Sequence, residues 1–127
     1  MTYVDTSVVL AWVLREPVCP PASFWGSHLV TSRLTEYECW VRIHAYGRAG
    51  SDGGALRTTL LSIGTVELDA AACARAFSPF PVPVRTLDAL HLATADYLRA
   101  QGASVDLASY DERLCAAATA LGFALSL

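Results

Sequence analysis

Four acidic residues, Asp5, Glu38, Asp88 and Asp111, fall where an alternating chain of strands and helices passes from one element to the next. Asp5 follows the apolar stretch Thr2-Tyr3-Val4, and Asp111 follows a second such stretch ending at Ala108. Glu38 lies near the start of one helical segment and Asp88 in the first turn of another. Carboxylates that share a site within a few ångströms cannot all stay ionised unless positive charge cancels theirs. Protons can do this, but a divalent cation does it better at neutral pH. Ligands that are all oxygen select a hard ion, Mg²⁺ or Mn²⁺. Each acid also has an ordinary reading. Asp5 can cap the first helix, while Thr35-x-x-Glu38 and Ser109-x-x-Glu112 fit capping boxes, the second leaving Asp111 over.

The elements that must position these acids follow from apolar periodicity and punctuation. Thr2–Val4 reads as a strand, Ser7–Glu16 as a helix stopped by Pro17, and Ala22–Ser27 as a short helix. His28–Thr31 fits a second strand, followed by a helix from Ser32 to about Tyr46 with Leu34, Tyr37, Val41 and Ala45 on one face. Gly47–Gly54 reads as a loop without a phosphate-binding glycine pattern, and Ala55–Ser62 as a helix. Thr65–Leu68 is a third strand, and Asp69 caps a short helix. After the proline-rich PFPVPV comes the long helix of RTLDALHLATA, with Thr86 as N-cap and Leu87, Leu90, His91, Thr94 and Leu98 turned inward. Val105–Ala108, a helix over Asp111–Leu121 and a last strand over Phe123–Leu125 complete the chain. Alternation of this kind means parallel pairing and right-handed crossovers, hence one α/β domain over residues 1–127. The expected architecture is a three-layer α/β/α sandwich with a central, mainly parallel sheet of about five strands. Such sheets place their sites beyond the carboxyl ends of the strands, where the four acids fall.

Composition sets the outer bounds. With 127 residues, 54% hydrophobic and 17% charged, the chain can bury a substantial core. No apolar run approaches the roughly 18 residues of a membrane span, and no secretory leader is visible, so the expectation is a cytoplasmic protein. Cys19, Cys39, Cys73 and Cys115 form neither a CxxC pair nor a cysteine–histidine cluster, which predicts free thiols. The net charge of −3 speaks against nucleic acid only until four of the twelve acids are assigned to a metal site, when nine bases face eight acids. All nine bases are arginine, the better fork for phosphate. Trp12, Phe24 and Trp25 are core residues by default, or the lining of a groove for a partner helix. His91 reads as a packed histidine rather than a general base.

The absence of lysine excludes a phospho-accepting receiver domain, and Asp5-Thr6-Ser7 lacks the D-x-D of dehalogenase-type phosphatases. YVDTS, S-x-L-T-x-x-E-x-x-x-R at Ser32 to Arg42, RTLDALHLATA and SYDERL at Ser109 to Leu114 together resemble the PIN-domain ribonucleases. Within these the pattern is most similar to the VapC-type toxins of bacterial toxin–antitoxin pairs. Two departures stand out, S-Y-D where T-x-D is more usual and an acid, Asp106, inside the fourth strand. The resemblance implies a metal-dependent endoribonuclease that uses Mg²⁺, or Mn²⁺ in its place, on RNA. It assigns the catalytic, metal-binding cluster to Asp5, Glu38, Asp88 and Asp111, with Thr6 and Ser109 in support. It further implies a homodimer and a small antitoxin that blocks the site. The rival reading is a catalytically inert PIN-fold module that binds protein or RNA.

Overall fold

Strands of three or four residues, apolar on both faces, can be satisfied only inside a sheet covered on both sides. That is the position of three of the four strands in the computed structural model, which describes all 127 residues, Met1 to Leu127, while the strand Gly64–Val66 is a largely exposed edge. Strands β1 (Thr2–Val4), β2 (Leu29–Ser32), β3 (Gly64–Val66) and β4 (Asp106–Ala108) form one parallel sheet in the order β3-β2-β1-β4. Six α-helices flank it: α1 (Thr6–Val13), α2 (Arg33–Ala45), α3 (Ala49–Leu61), α4 (Ala70–Cys73), α5 (Thr86–Ala100) and α6 (Glu112–Ala120). Successive strand residues point to opposite faces. Tyr3, Val30 and Leu107 accordingly join a core beneath α5 and α6 that includes Leu92 and Leu114. Val4, Leu29 and Ala108 join the other, with Val8 and Val9 of α1, Ile43 of α2 and Leu56 of α3. The α/β/α sandwich is as expected. Its fifth strand shrinks to a single parallel bridge between Leu107 and Leu125.

Several boundaries differ from the sequence reading, each for a tertiary reason. Helix α1 stops at Val13 rather than Glu16, in a turn where Glu16 N–H bonds Ala11 O at 2.9 Å and Arg15 N–H bonds Trp12 O at 3.2 Å. Arg15 takes the left-handed conformation there, at φ 56°. Two hydrogen bonds of this kind satisfy helix-end carbonyls even without the usual glycine. The glycine-rich stretch is helical from Ala49 onward, although each glycine inside a helix costs about 1 kcal/mol against alanine. Long-range contacts override that cost. Asp52, 1% exposed, accepts from Arg48 Nε at 2.7 Å and Arg15 Nη1 at 3.3 Å. Gly53 lies under the Trp40 ring, where an added Cβ would approach to 3.4 Å.

Helix α2 presents a different face from the expected one. Leu34, Thr35, Cys39 and Ile43 are buried, while Tyr37 and Val41 are 59% and 66% exposed. The rotation is set by buried hydroxyls: Thr31 Oγ1 donates to Val4 O at 2.6 Å and lies 2.7 Å from Thr35 Oγ1. In α5, Arg85 occupies the cap position, Thr86 is already helical, and Leu87 is exposed rather than inward. Trp12, tilted, and Phe24, edge-on, both pack on Trp25 with ring centroids 5.5 and 5.4 Å away, half-buried against the second core. Asp106 is exposed at the start of β4, paired with Thr2 and so at the edge opposite the junction acids. All four cysteines are free thiols, and no helix is long and apolar enough to cross a membrane. The rotation of α2 makes a clear prediction for urea denaturation. Ile43→Ala should lose about 2–5 kcal/mol, and Val41→Ala under about 1 kcal/mol.

Candidate active site

In the order β3-β2-β1-β4 the chain moves to one side of β1 for β2 and returns to the other for β4. The crevice beyond β1 and β4 is therefore the topological switch point, the usual ligand position in open α/β sheets. The β1–α1 turn supplies Asp5 to it and the β4–α6 turn supplies Asp111, while α2 and α5 bring Glu38 and Asp88. All four acids line one pocket of about 340 Å³.

Each acid has a distinct set of partners. Asp5 is 5% exposed, and its Oδ2 accepts from Ser7 N, Ser7 Oγ and Ser109 Oγ at 3.2, 2.6 and 2.9 Å. Its Oδ1 has only His91 Nε2 nearby, at 3.5 Å. Glu38 Oε1 accepts from Thr6 Oγ1 at 2.9 Å and from His91 Nε2 at 2.6 Å, and Oε2 has no protein partner. The Thr35–Glu38 capping box does not form, because Ser32 caps α2 through Leu34 N–H, and Glu38 is thereby released to the pocket. Asp111, not Ser109, caps α6: its Oδ1 accepts from Arg113 N and Leu114 N at 2.8 and 3.2 Å. Ser109 instead bridges, donating to Asp5 and accepting from Asp111 N at 2.9 Å. Asp88, half-buried, accepts no hydrogen bond from protein. Three acids thus give one oxygen to the fold and keep one free, and Asp88 keeps both.

Charge crowding shows in the protonation equilibria. Burial, then the charges of Asp111 and Asp5, hold the Asp88 carboxyl above its ordinary pKa. For Glu38 burial works in the same direction, but the His91 hydrogen bond and charge, with help from Thr6 and Arg42, win and leave it below. Burial of His91 alone would lower its pKa. The Glu38 hydrogen bond and the charges of Asp5, Glu38 and Asp88 outweigh that and raise it. Nε2–H must donate to Glu38, since a carboxylate only accepts, and Nδ1 meets Tyr3 Oη at 2.8 Å. With both nitrogens engaged and 2% exposure, His91 is packed, as expected, yet it belongs to the site because it orients Glu38.

The sequence reading passed over four residues here. Ser7 bonds Asp5 and also accepts from Tyr110 N at 2.9 Å, and Glu16 and Arg42 line the pocket rim with Tyr110. Ser7, Arg42 and Tyr110 fall inside the motifs quoted above, and Arg42 also sits four residues after Glu38 on the same helix face, whereas Glu16 had no sequence signal. No group of three histidine, cysteine or acidic side chains is drawn together tightly enough to form a ready metal cluster. The donor set nonetheless suits a hard cation, since every free donor atom is a carboxylate oxygen and the least partnered acid has its pKa raised by burial and by the charges of Asp111 and Asp5.

The PIN domain family model matches residues 2–120. The chain belongs to the PIN-domain family. This PIN domain is 32% identical to Ribonuclease VapC35 of Mycobacterium tuberculosis over 131 residues, covering 98% of this chain and 95% of the relative; the match holds for strains CDC 1551 / Oshkosh and ATCC 25618 / H37Rv. It is 28% identical to Ribonuclease VapC47 of strain CDC 1551 / Oshkosh, covering 97% of this chain and 93% of the relative. The family and these relatives make it a PIN domain of the VapC type.

The His91–Glu38 pair makes stability depend on pH with a definite sign. His91 binds its proton more tightly folded than unfolded, so its contribution is complete below the unfolded value near 6.5 and is lost as pH rises through the higher folded value. Glu38 binds its proton less tightly folded, so its contribution is present above about 4.5 and is lost as pH falls through the lower folded value. In chelator, the wild-type melting temperature should fall between pH 6 and 8, and Glu38→Gln should show a shallower fall over that interval. Equal slopes would mean that the pair does not titrate as a unit.

Proposed function

We propose that this PIN domain is a metal-dependent endoribonuclease, the toxin of a toxin–antitoxin pair, acting through Asp5, Glu38, Asp88 and Asp111. One observation carries the reading: four carboxylates from four elements enter one pocket at the switch point, each with an oxygen left free by the fold. Support comes from relatives named as ribonucleases along nearly the whole chain. Mg²⁺, or Mn²⁺ in its place, would supply neutralisation of the phosphodiester and acidification of the attacking water. Asp5 Oδ1, Glu38 Oε2, Asp111 Oδ2 and Asp88 would hold it. The protein's own work is positional. Ser7 and Ser109 clamp Asp5, Thr6 and His91 clamp Glu38, and two α6 amides clamp Asp111. Arg42 on the pocket rim places a positive charge beside the carboxylates, where an RNA phosphate must approach. The VapC relationship supports two further parts of the proposal, a small antitoxin that covers this pocket and assembly as a homodimer.

Cleavage of total RNA in Mg²⁺ tests the site. Asp5→Asn, Glu38→Gln, Asp88→Asn and Asp111→Asn should each cost at least about a hundredfold in rate while the protein stays folded. Wild-type cleavage that survives excess chelator would overturn the metal-dependent reading.

Thermal melting separates a metal ligand from a structural acid. Asp88 has a raised folded pKa, so it destabilises the metal-free protein as pH climbs through that value towards neutrality. Asp88→Asn should therefore melt higher than wild type in chelator. Mn²⁺ at tenfold excess over its dissociation constant should stabilise wild type by about 1.4 kcal/mol, a rise of roughly 3–6 °C. Asp88→Asn should lose most of that rise. A variant that melts lower in chelator yet shifts normally with Mn²⁺ would make Asp88 structural.

A further inference from the structure

Sorting the nine arginines by their partners isolates three. Arg15 and Arg48 pair with Asp52, Arg33 with Glu36 and Glu67, and Arg75 and Arg99 with Asp96. Arg57 lies over the Trp40 ring, 5.6 Å from its centroid. Arg42, Arg85 and Arg113 have no ion pair, and all three stand at the acidic pocket or at a second cleft that opens beside it. That cleft, about 480 Å³, shares Asp88 with the acidic pocket. Its apolar wall comes from Val82, Pro83 and Val84 of the segment before α5, and from Ala116 on α6. Arg85 and Arg113 flank it, and Arg113 is tied to the site through its own amide, which donates to Asp111 Oδ1.

We propose that this cleft holds the nucleotide adjoining the scissile bond of a single-stranded RNA, with its phosphate on Arg85 and Arg113 and its base against the Val82–Val84 and Ala116 wall. The inference rests on the nuclease reading and extends it to a substrate-binding position. Two guanidinium groups without internal carboxylate partners are free to take phosphate oxygens in bidentate fashion. The volume lies within the range of about 300–1,000 Å³ usual for small-ligand sites. An apolar wall accepts the flat face of any base, and no amide or hydroxyl side chain is among the lining residues to read a base edge. This position therefore adds affinity with little sequence preference. Continuity through Asp88 puts the bound nucleotide next to the carboxylates rather than on a remote face.

The test measures binding and cleavage separately. Fluorescence anisotropy with a short single-stranded oligoribonucleotide in chelator reads the cleft without turnover. Arg85→Ala with Arg113→Ala should weaken binding about tenfold and make the dependence of log affinity on log salt shallower by about 1. Ala116→Trp, which fills the cleft from an exposed helix position, should weaken binding comparably. Arg57→Ala, which removes one positive charge away from the cleft, should stay within twofold. In Mg²⁺ the double variant should raise KM with little change in kcat. Unchanged binding by both the double variant and Ala116→Trp overturns the inference, as does wild-type protein that binds no RNA. Variants that bind RNA normally but lose an acidic peptide partner would reassign the cleft to protein and overturn it too. Failure of the nuclease reading has a separate signature: cleft-dependent RNA binding by a wild-type protein that never cleaves.

Discussion

The site depends on the three hydrogen bonds that converge on one oxygen of Asp5. Oδ2 takes Ser7 N, Ser7 Oγ and Ser109 Oγ, and those two hydroxyls in turn accept the amides of Tyr110 and Asp111. The turn after β1 and the turn after β4 are 104 residues apart in sequence, and this knot holds them together. Asp5 sits at 5% exposure, so an unbonded carboxylate there would carry a large desolvation cost. The donors remove that cost at one oxygen and leave the other available. Because Asp111 caps α6 from the same turn, the knot also sets where that helix starts.

Around the knot, the carboxylates differ in their donors. Glu38 has an imidazole and a hydroxyl, Asp111 has two amides, and Asp5 has the knot. Asp88 has no donor, and its pKa is raised first by burial and then by the charges of Asp111 and Asp5. Its place in the first turn of α5 is electrostatically comfortable locally, since acids suit helix N-termini. The strain is collective and arises only when the elements pack. A fold that stores like charge at one edge would gain stability from any cation bound there.

Positive charge is distributed by the same logic. Of the six arginines remote from the site, five are ion-paired inside the protein, two of them on the buried Asp52 that anchors α3 to the end of α1. Those at the acidic pocket and the adjoining cleft are not. A net charge of −3 conceals this arrangement, because it sums five pocket carboxylates and three nearby arginines that lie side by side in space.

Element identity was readable from the sequence because it depends on local terms. Alternation of short apolar runs with helical periods dictates parallel pairing, and junction residues such as Asp5 and Asp111 then fall at the carboxyl edge whatever the details. Asp88 and Glu38 could be placed there for the same reason. Caps, faces and helix ends were another matter. Ser109 and Glu112 fit a capping box on paper, but Ser109 spends its hydroxyl on Asp5, and Asp111 takes the cap. Thr35 and Glu38 fit another, yet Thr35 lies against Thr31 of β2 and Glu38 against His91 of α5. Glycines that spell a loop became helix because Trp40 covers one of them and two arginines anchor the neighbouring acid. In each case several local arrangements of one segment differ by about 1 kcal/mol, and a partner far away in sequence selects among them. Sequence alone determined the layers and the edge at which the acids meet. Tertiary packing decided which oxygen of each acid is bound by the fold and which is left free for chemistry.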